Sequence, residues 1–243
     1  MMKKGIIYLL LFVCFKANCQ WERVDLKEFS DKILASEKKL LENQNYRFSG
    51  SYKFFNSIES NEAVLEYPAK IMVLKGKTFH IEQFNQLALQ NNELNVVVDT
   101  TLKTITVQAP IESFVKRRTS DDFKPFLSGN CIVMKALVGS ITKYSIEFAE
   151  QSRFKGCDVW FDGNDQLIKY VLYGSQVVLD DTDFFNPQEI QPKLEISYSD
   201  FQQGKDTDLT GFNYVEDFLL ITDKEIKLLP AYSAYELIDL RVY

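Results

Sequence analysis

The sequence predicts a mainly β protein with a minor helical part, ordered as helix, antiparallel meander, short central helix and second meander. Three observations predict it. Apolar residues recur at helical spacing near the start of the chain, they alternate with polar residues through most of the rest, and turn signals separate the alternating runs. No repeat, low-complexity tract or linker divides the chain, so residues 20–243 read as one domain.

The first nineteen residues are read apart from that domain. Lys3 and Lys4 precede an apolar run from Gly5 to Phe15, and Ala17 and Cys19 follow as small residues at alternate positions. That order is the one found in secretory signal peptides, and the run is shorter than the roughly 20 residues a bilayer span takes. Cleavage after Cys19 and a periplasmic location are expected. The alternative is an outer-membrane lipoprotein acylated at Cys19, although Lys16, Ala17 and Asn18 make a poor acylation signal.

The full chain has 28 basic and 34 acidic residues, a net charge of −6. Loss of Lys3, Lys4 and Lys16 with the leader takes it to −9. An acidic surface of that size argues against nucleic acid or anionic headgroups as the main partner. Beyond residues 1–19 no apolar run is long enough for a transmembrane helix.

Along the chain, Leu26, Phe29, Ile33 and Leu40 repeat at helical spacing behind Asp25, a helix-capping residue. From Tyr46 the period becomes two. "YRFSGSYKFF" leads to an apolar strand bent or broken near Pro68, a Lys-Gly-Lys turn at 75–77 and a strand through Phe79 and Ile81. "NNELNVVVDTTLKTITVQAP" reads as two strands about a turn. The apolar segment Ile132, Val133, Met134, Leu137 and Val138, ended by Gly139, is expected to form the short central helix. Asp162–Gly163 marks a later hairpin. Residues 180–192 read as an acidic, aromatic loop or lid, and two short strands and a Tyr- and Leu-rich tail close the chain.

Chemistry is sparse. His80, the one histidine, alternates with Phe79 and Ile81 and reads as an outward or hydrogen-bonded strand residue. With Cys131 and Cys157 it matches no compact zinc spacing. Those cysteines form either one disulfide or two buried thiols. Asp180, Asp181 and Asp183 lack calcium-loop spacing, and Lys116, Arg117 and Arg118 precede two compensating aspartates. No catalytic motif and no cofactor signature is present, so an enzyme is not expected. The load of 19 Phe and 12 Tyr is the prominent feature, suited to a core or to an apolar cavity for acyl chains.

The order of "YRFSGSYKFF", "KGKTFHIEQF", "LNVVVDTTLKTITVQAP" and "VWFDGNDQLIKYVLY" behind an amphipathic helix resembles the periplasmic lipoprotein-carrier family of the LolA/LolB type, over residues 24–200. Val98, Asp99, Lys103 and Ile105 echo that family's strand, aspartate turn, basic residue and second strand. The resemblance implies a curved antiparallel sheet forming an incomplete barrel, with a helical lid over an apolar concavity that shelters lipid or lipoprotein acyl chains. Phe48, Tyr52, Phe54, Val97, Ile105, Val107, Trp160 and Leu167 are the candidate lining residues, with Val133, Met134 and Leu137 on the lid. The last 40 residues extend beyond the resemblance. The alternative reading is a non-enzymatic accessory subunit of an envelope or secretion assembly, docking a protein partner through Phe184 and Phe185 or the Tyr232–Tyr235 tail.

Overall fold

A computed structural model describes residues 20–42, 45–74, 78–111, 131–148, 154–175, 178–180, 188–222 and 225–241. Residues 1–19, expected as a signal peptide, the expected turn at 75–77, the basic run at 116–118, Asp181, Asp183, Phe184 and Phe185 lie outside the described residues. Among the described residues, one curved sheet of thirteen strands dominates and does not close into a barrel.

The chain opens with β1 (Glu22–Val24) and α1 (Leu26–Glu42). Asp25 caps the helix, its carboxylate accepting the Lys27 N–H at 2.9 Å. A six-strand meander follows: β2 (Asn45–Phe55), β3 (Leu65–Leu74), β4 (Thr78–Gln83), β5 (Gln86–Gln90), β6 (Asn95–Asp99) and β7 (Thr104–Gln108). Pro68 does not break β3. It pairs with Ser51 beyond the last residue matched to β4, an edge position in which proline is tolerated.

A second meander comprises β8 (Ile132–Val138), β9 (Ile141–Glu147), β10 (Phe154–Phe161) and β11 (Leu167–Gly174). Here the structure corrects the expected central helix. Residues 132–138 are strand β8, paired from Ile132↔Glu147 to Val138↔Ile141. Gly139, expected as a helix stop, has φ of +63° and begins the two-residue turn of the hairpin, a job for which glycine is suited. Val133, Met134 and Leu137 are therefore sheet residues and no lid is formed by them. The segment at 180–192 is also not wholly a loop, because β12 (Val178–Asp180) pairs with β13 (Gln188–Ile190).

The long strand β14 (Lys193–Gln203) joins the two meanders, pairing with β11 on one side and β2 on the other. Beyond it come β15 (Leu219–Ile221), β16 (Ile226–Leu228) and β17 (Glu236–Asp239), the last adding parallel to β7 at the sheet's far edge.

Antiparallel register places paired side chains on one face, and the core uses both faces. On the first, Leu26, Phe29 and Ile33 of α1 pack against Val133, Tyr144, Ile146, Cys157, Val159 and Phe161. Lys135 anchors the helix through Glu28 at 2.8 Å, and Lys32 pairs with Asp165 at the β10–β11 turn. Across β5–β7 the apolar side reverses. Leu89, Val96, Val98, Ile105 and Val107 point to the opposite, far face and are buried beneath Val215, Phe218, Leu219 and Ile226.

The segment that brings those covers into place is tied down strand by strand. Arg47 on β2 holds the Asp208 carboxylate at 2.6 Å, Lys70 on β3 donates to the Thr210 carbonyl at 3.2 Å, and the Asn213 N–H donates to His80 Nδ1 on β4 at 2.9 Å. The Thr210 and Arg47 hydrogen bonds hold the Asp208 carboxyl down at about 2. His80 is thus the hydrogen-bonded strand residue expected from the sequence, 1% exposed.

Truncation of Phe218 to alanine is expected to cost about 3–5 kcal/mol, the usual loss for a buried phenylalanine, read as a lower urea midpoint. A value near zero would show that the C-terminal segment is not part of the core. Burial lowers the His80 pKa from 6.5, with Lys70 acting in the same direction and Glu82 opposing. The unfolded chain therefore binds the His80 proton more readily. This histidine's stabilising contribution is complete above pH 6.5 and is lost as pH falls through the lower folded value. Replacing it with asparagine, whose Oδ1 can accept from Asn213, should flatten the fall in stability as pH drops below 6.5.

Candidate functional site

The residues singled out by the sequence divide between the two faces. Phe48, Tyr52, Phe54 and Val97 share the helix-side face in the middle of the sheet, all of them half-buried. Leu167 and Val133 lie on the same face but belong to the cluster beneath α1. Leu137 shares their side at the exposed β8–β9 end, 65% accessible. Met134 and Trp160 point to the far face, as do Ile105 and Val107, both fully buried under the C-terminal segment.

Trp160 sits in a polar groove of about 490 Å³. Lys143 and Lys169 stand over its ring at 4.7 and 5.3 Å. Lys143 pairs with the buried Asp158 carboxylate at 2.6 Å, to which the Tyr173 hydroxyl also donates at 3.0 Å, and Lys169 pairs with Glu195 at 2.7 Å. Burial and then the charge of Asp158 push the Tyr173 phenol up. These are compensated charges on the side opposite the candidate apolar surface.

The middle of the helix-side face is built from two aromatic groups. Phe48 packs on Tyr46, Tyr198 and Phe201 at 6.0, 5.5 and 5.4 Å between ring centres. At the other end of β2, Tyr52, Phe54, Tyr67 and Phe84 converge, with Tyr52 4.9 Å and Tyr67 5.2 Å from Phe84. Beside them on the same face Ala69, Ile71, Val73, Phe79 and Ile81 form a buried group against which Phe48 and Tyr52 pack. Leu194 and Ile196 extend the same half-buried surface across β14 by pairing with Phe54 and Tyr52. Burial pushes the Tyr46 and Tyr198 phenols up to about 12, keeping both neutral.

Toward β7 the surface turns polar. Asn95 donates to Gln90 at 3.2 Å and Gln108 donates to Asn95 at 3.0 Å, a row of side-chain amides closed by Gln90 and Ile111. Sequence reading missed Tyr67, Phe84, Tyr198 and this amide row. The alternation within "LEYPAK" and "KLEISYSD" carries a signal for Tyr67 and Tyr198, whereas a phenylalanine in a turn carries none.

Cys131 and Cys157 are both free thiols. Burial, then Asp158, pushes the Cys157 thiol up to about 12, so it stays protonated at neutral pH. Among the described residues no group of three or more His, Cys, Asp and Glu side chains is placed to hold a metal ion. None of their helices is long and apolar enough to cross a membrane. Native protein treated with iodoacetamide at about pH 8 should therefore leave Cys157 unmodified, and denaturation without reductant should release both thiols for labelling. An intact mass two hydrogens short would contradict the free-thiol assignment.

No protein-family model matches this chain, and no curated protein matches it. Among solved structures, an uncharacterized conserved protein from Thermus thermophilus is 8% identical with a TM-score of 0.44, covering 87% of this chain and 99% of its own. A LolA superfamily protein from Nitrosomonas europaea is 10% identical with a TM-score of 0.30, covering 78% and 98%. An outer membrane lipoprotein-sorting protein domain from Vibrio parahaemolyticus is 10% identical with a TM-score of 0.27, covering 75% and 95%. The structure neighbours of this chain thus include LolA superfamily and lipoprotein-sorting proteins, at low identity and modest TM-scores.

Proposed function

We propose that this chain is an exported, non-enzymatic carrier-like protein that shelters an acyl chain of a lipid or lipoprotein against the helix-side face of its sheet. The observation that carries the reading is the contiguous run of half-buried apolar side chains across β14, β2 and β3: Leu194 and Ile196, Phe48, Tyr52 and Phe54, and Tyr67. Single half-exposed apolar residues are ordinary on a protein surface, whereas a contiguous patch bounded by polar groups is characteristic of a binding surface. The amide row on β5–β7 supplies one such boundary, and the helix-packed cluster lies on the other side. The sequence-level resemblance to lipoprotein carriers points the same way.

The contact this surface offers is dispersion and burial of methylene groups, at about 0.8 kcal/mol per CH₂ removed from water. It makes no demand for a specific headgroup. Of the residues expected from the sequence, Phe48, Tyr52, Phe54 and Val97 remain in the proposed site. The neutral phenols of Tyr46 and Tyr198 add apolar area beside it without introducing charge.

Native mass spectrometry of the protein isolated from a bacterial periplasm, followed by organic extraction, is expected to recover an acyl-bearing adduct. In vitro, the double substitution of Tyr52 and Phe54 by glutamate should weaken binding of a fluorescent fatty acid by a hundredfold or so, since about two apolar contacts of 1–2 kcal/mol each are lost. Ser197→Glu, on the far face, should leave it unchanged. A bare native mass together with no binding of the fluorescent fatty acid would overturn the reading in favour of an accessory subunit that docks a protein.

A further inference from the structure

Phe84 and Asn85 form the two-residue turn between β4 and β5, with φ of +51° and +63°. Both central residues of this turn are left-handed, the geometry that strongly favours Asn and Gly. A bulky aromatic at the first position is an outlier, and backbone strain of this sort persists only where the surroundings over-determine it. Here they do. The Asn85 carbonyl accepts from both the Thr100 N–H at 3.2 Å and the Thr100 hydroxyl at 2.9 Å, bolting this turn to the neighbouring β6–β7 turn. The latter is itself pinned by the Asp99 carboxylate, which accepts the Thr101 and Leu102 N–H groups at 2.9 and 2.8 Å.

The consequence of the strained turn is the position of one ring. Phe84 folds back over the helix-side face to meet Tyr52 at 4.9 Å, Tyr67 at 5.2 Å and Phe54 at 6.5 Å, while 38% of the residue stays accessible. An asparagine would satisfy the backbone and leave that end of the face without the ring. Because two turns are bolted together beneath it, the ring is held in place, which suits a wall and not a gate.

We propose that Phe84 is the end wall of the acyl site and sets the length of chain the site accepts. The inference rests on the acyl-binding reading above. From Phe48 to Tyr52, the ring nearest Phe84 at 4.9 Å, β2 spans about 13 Å at roughly 3.3 Å per residue, the length of an extended acyl segment of about ten carbons. A chain laid along this strand from the Phe48 end meets Phe84 at the other.

The test is displacement of a fluorescent fatty acid by saturated fatty acids of increasing length, compared between the wild-type protein, Phe84→Asn and Phe84→Trp. Phe84→Asn keeps the turn geometry and removes the wall, whereas Phe84→Trp keeps a wall. Wild type and Phe84→Trp are expected to share one preferred length. Phe84→Asn should prefer a chain at least two carbons longer and bind it about tenfold more tightly than wild type does, as befits two further buried methylenes. Equal melting temperatures of wild type and Phe84→Asn would confirm that the turn is intact. An unchanged length profile in a folded Phe84→Asn protein would overturn the end wall and leave the acyl site standing. Failure of the wild-type protein to bind any chain would overturn both.

Discussion

Antiparallel register is the constraint on which the rest of this structure depends. Once β2 to β7 are paired as a meander, each residue's face is decided by parity. The parity of the apolar residues changes partway across. On β2–β4 the helix-side positions carry Tyr46, Phe48, Ile71, Val73, Phe79 and Ile81, whereas on β5–β7 the aliphatic residues Leu89, Val96, Val98, Ile105 and Val107 occupy the far side. One layer of cover cannot bury both sets. The C-terminal segment buries the far set, guided across that face by the ties from Arg47, Lys70 and His80, whereas α1 covers β8–β11 farther along the sheet and not the β2–β4 set.

The same segment deals with a second liability. A meander ending at β7 would leave an unpaired strand edge, which invites association with other chains. Parallel addition of β17 covers that edge from Thr104 to Val107, and β1 covers the opposite edge along Val133 to Lys135. Both protective strands are short, three residues for β1 and four for β17, so neither extends the sheet far. The described C-terminal residues from Val215 to Asp239 are therefore structural parts of the fold. The helix-side face of β14, β2 and β3 is left with half-buried aromatic surface.

What was legible in the sequence follows from how local each signal is. Asp25 and the spacing of Leu26, Phe29 and Ile33 specify α1 within a few turns, and the hairpins at 95–108 and 154–174 follow from alternation and turn residues. The run from Ile132 to Val138 misled because seven apolar-rich residues fit a short buried helix and a strand equally well, and glycine serves both a helix stop and a tight turn. Gly139 acts as the latter. The opposed faces of Val97 and of Ile105 and Val107 were hidden for another reason. Cross-strand register depends on the length of the turn between them, and only pairing of Val97 with Thr106 puts the latter two on the far side. Cover by the C-terminal segment is a contact between residues more than a hundred positions apart, for which local pattern carries no information.

The placing of core and half-buried rings bears on how the proposed acyl surface would coexist with a stable fold. If the same residues had to be both core and site, emptying the site would expose the core. Among the deepest side chains of this sheet, Met72, Leu89, Val96, Ile105 and Val107 point to the far face and Phe161 lies under α1, while Val73 and Phe79 lie on the aromatic face itself. There the rings of Phe48, Tyr52, Phe54 and Phe84 flank a buried group of Ile71, Val73, Phe79 and Ile81 on the same face. Those rings support one another through edge and tilted contacts worth about 0.5–1.5 kcal/mol each, so their arrangement does not need an occupant. A surface held by its own ring contacts beside a buried core is preorganised, and preorganisation lowers the ordering cost of binding a flexible chain.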